Sequence, residues 1–426
     1  MLISNFDELS TTPQRRTLLE IIEAGLESLQ PDVNFKKTVQ FENNTLTILG
    51  QTYDLANFDH VYLIGFGKGS STNSKLLEDL LGDALSEGYV IDTSEQEFNK
   101  IQFTLGTHPV VSQQNVDFTF RLMDRFSKMT EHDLVLVVVC GGGSAMLEHP
   151  HSVSIEQKIE IEKALLKSGA NIIEMNKIRQ HLSDVKGGGL AQILYPATVA
   201  TLIYSDVPGN DISYIASGPT VKVDTTIDDA MALVKKFNIP DITPEVFINN
   251  PHDDKYFEKV QNHIVLSNLT ALNKMKEVAE QNSLTSTIFS DKFQGEARDA
   301  SLELIGKQEG PGILFAGGET TVTAKGSGKG GRNQEATLSA LINLPDNTMV
   351  CFLASDGWDN SDAAGAIADS ETKRKAVEQN INLSEFLENN DSYAIFQQTK
   401  DAIMSGRLPS NVADLMIVWK WGKTNS

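Results

Sequence analysis

Short apolar runs that end in glycine-rich or acidic loops constrain the fold of this chain more than any other feature. The five clearest segments are HVYLIGFGKGSS, DLVLVVVCGGGSAML, ATVATLIYSDVPGND, GILFAGGETTV and TMVCFLASDGWDN. The continuous Val/Leu run at 134–140 is typical of a strand buried on both faces of a parallel sheet. Helical spacing after such loops predicts an α/β architecture, in which ligands bind outside the carboxyl ends of the strands. We therefore expect these loops to line clefts.

A change of composition between residues 222 and 262, with prolines, paired asparagines and acidic turns, interrupts this series. Such a stretch is typical of a domain boundary. A length of 426 residues is enough for two or three domains. We predict two α/β/α domains. A Rossmann-like domain with a mostly parallel sheet would span 1–235, and a second α/β domain would span 236–426, with its last residues packed back on the first.

Charge limits the classes of partner. The chain has 57 Asp plus Glu against 36 Lys plus Arg, a formal net charge of −21. This argues against nucleic acid or an anionic membrane as the main partner, although a local cationic pocket stays open. No segment has the length and apolarity of a membrane span or a signal peptide. Cys140 and Cys351 form no CxxC pair, so we expect a reducing cytoplasm.

The first two loops predict anion-binding sites. In GFGKGSS, residues 65–71, glycines let the backbone approach an anion, the helix start supplies N–H groups and Lys68 adds positive charge. The GxGxxG fingerprint is broken because position 70 is Ser, so a tight turn with a surface lysine is the alternative. In CGGGSAM, residues 140–146, three glycines suit phosphate or carboxylate oxygens. A nucleophilic Cys140 and a turn needed only for packing are the alternatives.

Two further loops carry polar groups next to glycines. RQHLSDVKGGGLA, residues 179–191, concentrates Arg179, His181, Ser183 and Lys186 before a second triple glycine, which is more than a solvated surface needs. In the loop at 204–220, Asp206 comes just after a strand. A carboxylate there can hold Mg²⁺ or orient an attacking hydroxyl group, and a loop-stabilising role is an equal alternative.

The second half of the chain contains one basic and one acidic loop. GGETTVTAKGSGKGGRNQEATL, residues 317–338, combines six glycines with Lys325, Lys329 and Arg332, which predicts a phosphate clamp rather than a flexible hairpin. ASDGWDNSD follows a strand with Asp356, Asp359 and Asp362, a candidate Mg²⁺ or general-base site. No histidine follows His263, which disfavours zinc hydrolysis or a catalytic triad in this half.

Taken together, these loops resemble the type II glycerate 2-kinases, the MOFRL family. The matching segments run in order along the chain: GFGKGS, THPVVS, CGGGSAML, HLSDVKGGGLA, SDVPGNDISYIASGPTV, GEAR, GGETTV, GKGGRNQE, SDG with DAAGAI, and NVADL. The resemblance implies an enzyme that uses ATP and Mg²⁺ to phosphorylate the 2-hydroxyl of D-glycerate, giving 2-phosphoglycerate. It also implies an active site in the cleft between the two domains.

The resemblance further implies roles for individual residues. Lys68 and Arg332 match basic catalytic residues, and Asp206 and Asp356 match strand-end acids that would share metal binding and hydroxyl orientation. The glycine-rich pocket that would bind ATP and substrate comprises Gly67, Gly141, Gly142, Gly143, Ser144, Lys186, Ser217, Gly218, Thr220, Gly317, Gly318, Glu319 and Thr320. The residue chemistry agrees, because phosphoryl transfer depends on positioning and charge neutralisation.

Three segments depart from the family pattern. Cys140 replaces a serine, SDGWDNSD replaces a TDGTDGPT-like run, and GRLPSNV at 406–412 replaces a GPTGTNV-like loop. Trp358 is much larger than the expected Thr, so a kinase for a related short hydroxy acid is an alternative. The others are an NAD(P)-dependent hydroxypyruvate or hydroxy-acid oxidoreductase, which requires GxGxxG and an acid ending the second strand, and a non-catalytic metabolite sensor. A homodimer is the default expectation.

Overall fold

The computed structural model describes residues 1–240 and 242–422, which form 15 strands and 16 α-helices. The strands are β1 Val39–Glu42, β2 Thr45–Ile48, β3 Gln51–Asp54, β4 His60–Phe66, β5 Glu87–Asp92, β6 Ile101–Leu105, β7 Asp133–Val139, β8 Thr198–Tyr204, β9 Val260–Leu266, β10 Ser286–Glu296, β11 Gly312–Thr321, β12 Thr348–Ala354, β13 Gly365–Ala368, β14 Ala402–Ile403 and β15 Asp414–Lys420. The helices are α1 Phe6–Leu9, α2 Pro13–Ser28, α3 Pro31–Thr38, α4 Ser70–Leu81, α5 Gln113–Arg125, α6 Gly143–Met146, α7 Ile155–Lys167, α8 Ile172–His181, α9 Gly189–Leu194, α10 Ile227–Lys236, α11 Asn268–Gln281, α12 Ala297–Lys307, α13 Arg332–Ile342, α14 Ser370–Glu378, α15 Leu383–Glu388 and α16 Ser392–Thr399. None of these helices is long and apolar enough to cross a membrane.

The chain divides into two compact units. The parallel-sheet unit comprises residues 34–205 and 210–265, and the mixed-sheet unit comprises 1–33, 206–209 and the described chain from 266 onward. The sequence placed the boundary at 235/236, but β9 adds to the parallel sheet, so the main switch occurs about 30 residues later. We expected the last residues to pack on the first domain; instead, residues 1–33 belong to the mixed-sheet unit, together with the described chain from 266 onward. Residues 423–426 lie outside the described residues.

The parallel-sheet unit contains a six-stranded sheet in the order β6-β5-β4-β7-β8-β9. The pairs from β6 to β8 are parallel, and all seven residues of β7, which lies between β4 and β8, are buried. This confirms the α/β fold class and the buried strand expected at 134–140. A separate antiparallel sheet, β1-β2-β3, belongs to the same unit.

The mixed-sheet unit contains a six-stranded sheet in the order β10-β11-β15-β12-β13-β14. β10 and β11 are parallel, whereas β15 lies antiparallel between β11 and β12. Because β15 runs in the opposite direction, its first residue, Asp414, pairs in register with Gly318 of β11 and Ala354 of β12. The carboxyl ends of β11 and β12 and the start of β15 therefore meet at one edge of the sheet.

A buried ionic cluster attaches the first long helix to the mixed-sheet unit. Arg15 of α2 is fully buried and donates hydrogen bonds of 2.8 and 2.7 Å to Asp369 and 2.6 Å to Asp401. Burial tends to raise the pKa of Asp369, but the hydrogen bonds and charge of Arg15 outweigh it and lower that pKa. Asp369 depends on Arg15 for its cation, whereas Asp401 also accepts a hydrogen bond from Lys375 Nζ at 2.9 Å. The contacts of Arg15 help to hold residues 1–33 in this unit.

Replacing Arg15 with Met should lower the free energy of unfolding by about 3–5 kcal/mol, because buried Asp369 loses its cation and buried Asp401 keeps only Lys375. The matched control is Arg16→Met. Arg16 lies on the same helix but is exposed and paired with exposed Glu20, so its loss should cost less than about 1 kcal/mol. Urea denaturation measures both values. Equal losses would contradict a special role for Arg15.

Candidate active site

In the parallel-sheet unit, the loops that follow β4 and β7 contact each other at the carboxyl edge of the sheet. The Lys68 N–H donates to the Gly141 carbonyl oxygen at 2.8 Å, and the Cys140 N–H donates to the Phe66 carbonyl oxygen at 3.0 Å. Gly67 has φ +103°, and a Cβ there would lie 2.3 Å from the Cys140 carbonyl oxygen. Gly67 is therefore required for the close approach of the two loops. The side chain of Lys68 is exposed at this junction.

The start of α4 differs from the sequence expectation. Asp92, the last residue of β5, is fully buried and accepts hydrogen bonds from the N–H groups of Gly69 and Ser71, at 3.0 and 2.9 Å. The Ser71 hydroxyl donates to the same carboxylate at 2.7 Å. The expectation that this helix start leaves its N–H groups to a ligand is therefore wrong at these two positions. An internal carboxylate occupies the place that a bound anion would take.

The predicted glycine-rich pocket of this unit forms one contiguous cluster. The hydroxyl oxygens of Ser144 and Ser217 lie 3.1 Å apart, which joins the loop after β7 to the loop at 215–220. The N–H groups of Gly187 and Gly188 donate to the carbonyl oxygens of Ser217 and Gly218, at 3.0 and 2.8 Å. The second triple glycine, at 187–189, thus packs against the loop at 215–220 and helps to fix its position.

The loop at 215–220 has an unusual backbone conformation. Ala216 and Ser217 have φ values of 51° and 63°, in the left-handed region that residues with side chains seldom adopt. Such strain costs about 1–3 kcal/mol per residue and is often retained at functional sites. The buried hydroxyl of Ser217 is fixed by donating to Asn176 Oδ1 at 2.9 Å, and Thr220 Oγ1 donates to Asn262 Oδ1 at 2.7 Å. The surrounding hydrogen bonds hold the strained loop in place.

His108 is a site residue for which the sequence assigned no role. A Cβ on Gly142 would lie 2.7 Å from the His108 ring, so the ring covers the glycine loop. Burial lowers the pKa of His108, and the positive charge of Lys68 lowers it further. Both effects favour the neutral form of the ring. The only sequence signal was its position in THPVVS after β6, which gave no chemistry by itself.

Lys186 occupies a different environment from the other pocket residues. Its side chain is buried, and its ammonium group is bonded to the carboxylate of Glu148. Burial lowers the pKa of Lys186 to about 8. The sequence predicted a cofactor-binding role, which stays a prediction. The structure shows Lys186 in an ionic cluster behind the glycine loops.

In the mixed-sheet unit, Arg332 begins α13 and is held by two carboxylates. Its Nε and Nη2 atoms donate to Asp414 at 2.6 and 3.0 Å, and its Nη1 atom lies 2.9 Å from Glu319. Burial tends to lower the pKa of Arg332, but the hydrogen bonds and charge of Asp414 outweigh it, so the pKa is raised and the guanidinium stays charged. Arg332 is a fixed positive charge at the sheet edge.

Asp359, the middle acid of the acidic loop, stabilises the start of α13. Its buried carboxylate accepts the N–H groups of Asn333 and Gln334 at 3.1 and 2.8 Å. Burial raises the pKa of Asp359 to about 6. The side-chain amide of Asn333 donates to both Asp359 and Asp414, at 3.2 and 2.9 Å. Asp359 and Asp414 therefore act as a structural pair, a role the sequence did not reveal.

Asp356 is half-buried at the end of β12, and its Oδ1 atom accepts the N–H of Trp358 at 3.0 Å. Its carbonyl oxygen accepts the N–H of Leu408 at 2.8 Å. The Arg407 guanidinium carbon lies 3.8 Å from the centroid of the Trp358 ring. Two of the segments that depart from the family pattern thus contact each other next to Asp356.

Asp206 is also half-buried and belongs to the mixed-sheet unit, as Asp356 does. Among residues 1–240 and 242–422, no group of three or more His, Cys, Asp or Glu side chains is arranged to hold a metal ion. Mg²⁺ usually binds through one or two carboxylates together with substrate phosphates and water. Two half-buried aspartates fit that pattern better than a metal site formed by the protein alone.

The glycine run at 317–331 packs against its own unit. A Cβ on Gly318 would lie 2.0 Å from the Phe293 carbonyl oxygen, and a Cβ on Gly331 would lie 2.2 Å from Asp359 Oδ1. The Lys329 ammonium lies 4.7 Å from the centroid of the Tyr393 ring. Lys329 and Arg332, which the sequence grouped as a phosphate clamp, therefore have different partners. Thr320 is buried, whereas Glu319 is exposed and pairs with Arg332.

Comparisons with known proteins show which family this chain belongs to. Residues 17–249 match a domain of unknown function, DUF4147, and residues 312–414 match the MOFRL family. The chain is 33% identical to a glycerate 2-kinase of Picrophilus torridus over 98% of this chain and 99% of that protein. It is also 35% identical to a putative hydroxypyruvate reductase of Agrobacterium vitis, covering 84% and 98% of the two chains.

The crystal structure of a glycerate kinase from Thermotoga maritima superposes with a TM-score of 0.83 at 30% identity, covering 95% of this chain and 99% of that one. The chain therefore belongs to the MOFRL family of glycerate kinases.

Proposed function

We propose that this protein is a D-glycerate 2-kinase that transfers the γ-phosphoryl group of ATP to the 2-hydroxyl of D-glycerate, giving 2-phospho-D-glycerate. The observation that carries the proposal is Arg332, a charged guanidinium fixed by buried Asp414 at the carboxyl edge of the mixed sheet. Phosphoryl transfer depends mainly on fixed positive charge around the transferring group. Full-length similarity to glycerate 2-kinases supports the same assignment.

The residues have separable roles in this proposal. Lys68 of the parallel-sheet unit and Arg332 of the mixed-sheet unit each supply positive charge for phosphoryl transfer, and the glycine loop after β7 contacts the phosphates through its backbone. Of the expected pocket residues, Gly67 follows β4, and Gly141, Gly142, Gly143 and Ser144 follow β7. Ser217, Gly218 and Thr220 come after β8, whereas Gly317, Gly318, Glu319 and Thr320 are residues of β11 itself. Lys186 forms an ion pair with Glu148, which follows the glycine loop after β7 in the chain.

Asp206 and Asp356 are the residues that would hold Mg²⁺ or orient the 2-hydroxyl group. When bound, Mg²⁺ supplies charge neutralisation at the nucleotide phosphates. Asp356 suits either task because its Oδ1 atom is fixed by the Trp358 N–H, which orients the carboxylate. Both cysteines are buried free thiols, consistent with a cytoplasmic enzyme.

Hydride transfer is the competing activity, because one relative is named a putative hydroxypyruvate reductase. In dinucleotide enzymes, an acid at the end of the second strand binds the ribose, and a helix N-terminus binds the pyrophosphate. Here Asp92 ends β5, but its buried carboxylate bonds the N–H groups of Gly69 and Ser71. The carboxylate of Asp92 and the N–H groups at the start of α4 are hydrogen-bonded to each other, which counts against a dinucleotide at this position.

A coupled ADP-release assay with D-glycerate, related short hydroxy acids, ATP and Mg²⁺ tests the proposal. We expect turnover with D-glycerate that disappears on removal of Mg²⁺, and thermal stabilisation by ATP with Mg²⁺ but not by NADH. Turnover with another hydroxy acid would show that the protein is a kinase with an acceptor other than D-glycerate. Stabilisation by NADH with hydroxypyruvate reduction would overturn the proposal, and ATP binding without turnover would favour a sensor.

Lys68→Ala and Arg332→Ala should each lower turnover by about 10²–10³-fold, because each removes a positive charge that acts on the transition state. Matched controls are Lys128→Ala in the parallel-sheet unit and Arg374→Ala in the mixed-sheet unit, both exposed. These should leave turnover within about twofold. Circular dichroism checks the fold of each variant. Normal turnover in either test variant would remove that residue from the mechanism.

A further inference from the structure

The β14–β15 loop, residues 404–413, contacts the acidic loop next to Asp356. The N–H of Leu408 donates to the carbonyl oxygen of Asp356 at 2.8 Å. Gly357 has a φ of +78°, and a Cβ there would overlap the carbonyl oxygen of Gly406. Only glycine therefore permits this approach of the two backbones. The two loops are close-packed along their backbones at this point.

A side-chain stack adds to these backbone contacts. The guanidinium carbon of Arg407 lies 3.8 Å from the centroid of the Trp358 ring, which is close enough for a cation–π interaction. Both side chains are exposed, and within residues 1–240 and 242–422 no carboxylate forms an ion pair with Arg407. The stack on the indole is therefore the contact that orients the guanidinium.

The N-terminal segment of the chain holds the β14–β15 loop on both sides of this contact. Near the start of the loop, the Met404 N–H donates to Asn5 Oδ1 at 2.9 Å, and the Met404 carbonyl oxygen accepts the Ser4 N–H at 2.7 Å. Further along, the Ser410 hydroxyl donates to the Leu29 carbonyl oxygen at 2.6 Å. Because both sides are fixed, the middle of the loop is presented to the acidic loop at a set position.

These contacts act on both the backbone and the carboxylate of Asp356. Its carbonyl oxygen is held directly by the β14–β15 loop, through Leu408. Its Oδ1 atom accepts the N–H of Trp358 at 3.0 Å, and the Trp358 ring is in turn held by Arg407. A carboxylate that holds a metal ion or orients a hydroxyl group depends on its position, since a misplacement of about 1 Å is enough to slow a reaction strongly.

We propose that the β14–β15 loop positions Asp356 for phosphoryl transfer, and that Arg407 is the positioning residue that keeps the loop closed on the acidic loop by stacking on Trp358. Arg407 acts through Trp358 and Leu408 rather than on the reacting atoms. The inference rests on the proposed function, because that activity is what requires a fixed Asp356. It adds to the candidate site a residue that lies outside the glycine-rich loops.

Arg407→Gln tests the proposal, because Gln keeps a long polar side chain but has no charge to stack on the indole. We expect kcat for D-glycerate phosphorylation to fall by about threefold to tenfold, while KM for ATP stays within about twofold. Arg407→Lys should keep kcat within about twofold of the wild type, because an ammonium group also binds the face of an indole. The matched control is Arg374→Gln, at an exposed arginine of the same unit, which should leave kcat unchanged.

Amide hydrogen exchange of the full-length protein, followed by mass spectrometry, measures the loop contact without the reaction. In Arg407→Gln, peptides that cover 356–358 and 406–408 should exchange at least about threefold faster than in the wild type, and peptides elsewhere should not change. In an Asp356→Asn background, Arg407→Gln should lower kcat by less than about twofold, because the carboxylate that it positions is already absent.

Three results would count against the proposal, and they separate it from the kinase assignment. Wild-type kcat in a folded Arg407→Gln variant, or a full additional loss in the Asp356→Asn background, would overturn the positioning role and leave the kinase intact. Unchanged exchange at both segments would also overturn it, because the loop contact would then not depend on Arg407. An inactive wild-type protein would instead reject the kinase, and the positioning role with it.

Discussion

The bidentate bond between Arg332 and buried Asp414 is the interaction on which the candidate site depends. Asp414 occupies the centre of the sheet edge because β15 lies antiparallel between β11 and β12. A fully buried carboxylate is costly unless cations and hydrogen-bond donors surround it, and Arg332 and Asn333 supply both. The fold therefore fixes the guanidinium at the strand ends. A positive charge fixed in advance costs no reorganisation when phosphate charge develops.

The parallel-sheet unit achieves the same rigidity through its backbone. Gly67 contacts the backbone of Cys140, the start of α4 is neutralised by Asp92, and the strained loop at Ser217 is held by Asn176. The N–H groups of Gly69 and Ser71 and the hydroxyl of Ser217 are thus satisfied internally. The side chain of Lys68, by contrast, is exposed.

The sequence predicted the strand ends and their loops because apolar runs followed by glycine or acid are local signals. Residues such as Lys68, Ser144 and Arg332 could be named for that reason. Asp414 could not be named in this way. It begins β15, and the position of β15 between β11 and β12 depends on pairing with strands that are distant in the sequence. The roles of Asp92 and Asp359 were also missed, since a carboxylate that stabilises a helix start looks in sequence like one that binds metal. The place of residues 1–33 depends on Arg15 reaching Asp369 and Asp401, more than 350 positions away.

A double-mutant cycle of Asp414→Asn and Arg332→Ala, with kcat/KM for the kinase reaction as the readout, tests whether Asp414 acts by positioning Arg332. If Asp414 acts by positioning Arg332, Asp414→Asn should lower kcat/KM by about 10–100-fold in the wild type. In the Arg332→Ala background it should then have little further effect, which gives a coupling energy above about 1 kcal/mol. Additive losses, with a coupling energy within about 0.5 kcal/mol, would show that the two residues act independently and that Asp414 does not work through Arg332.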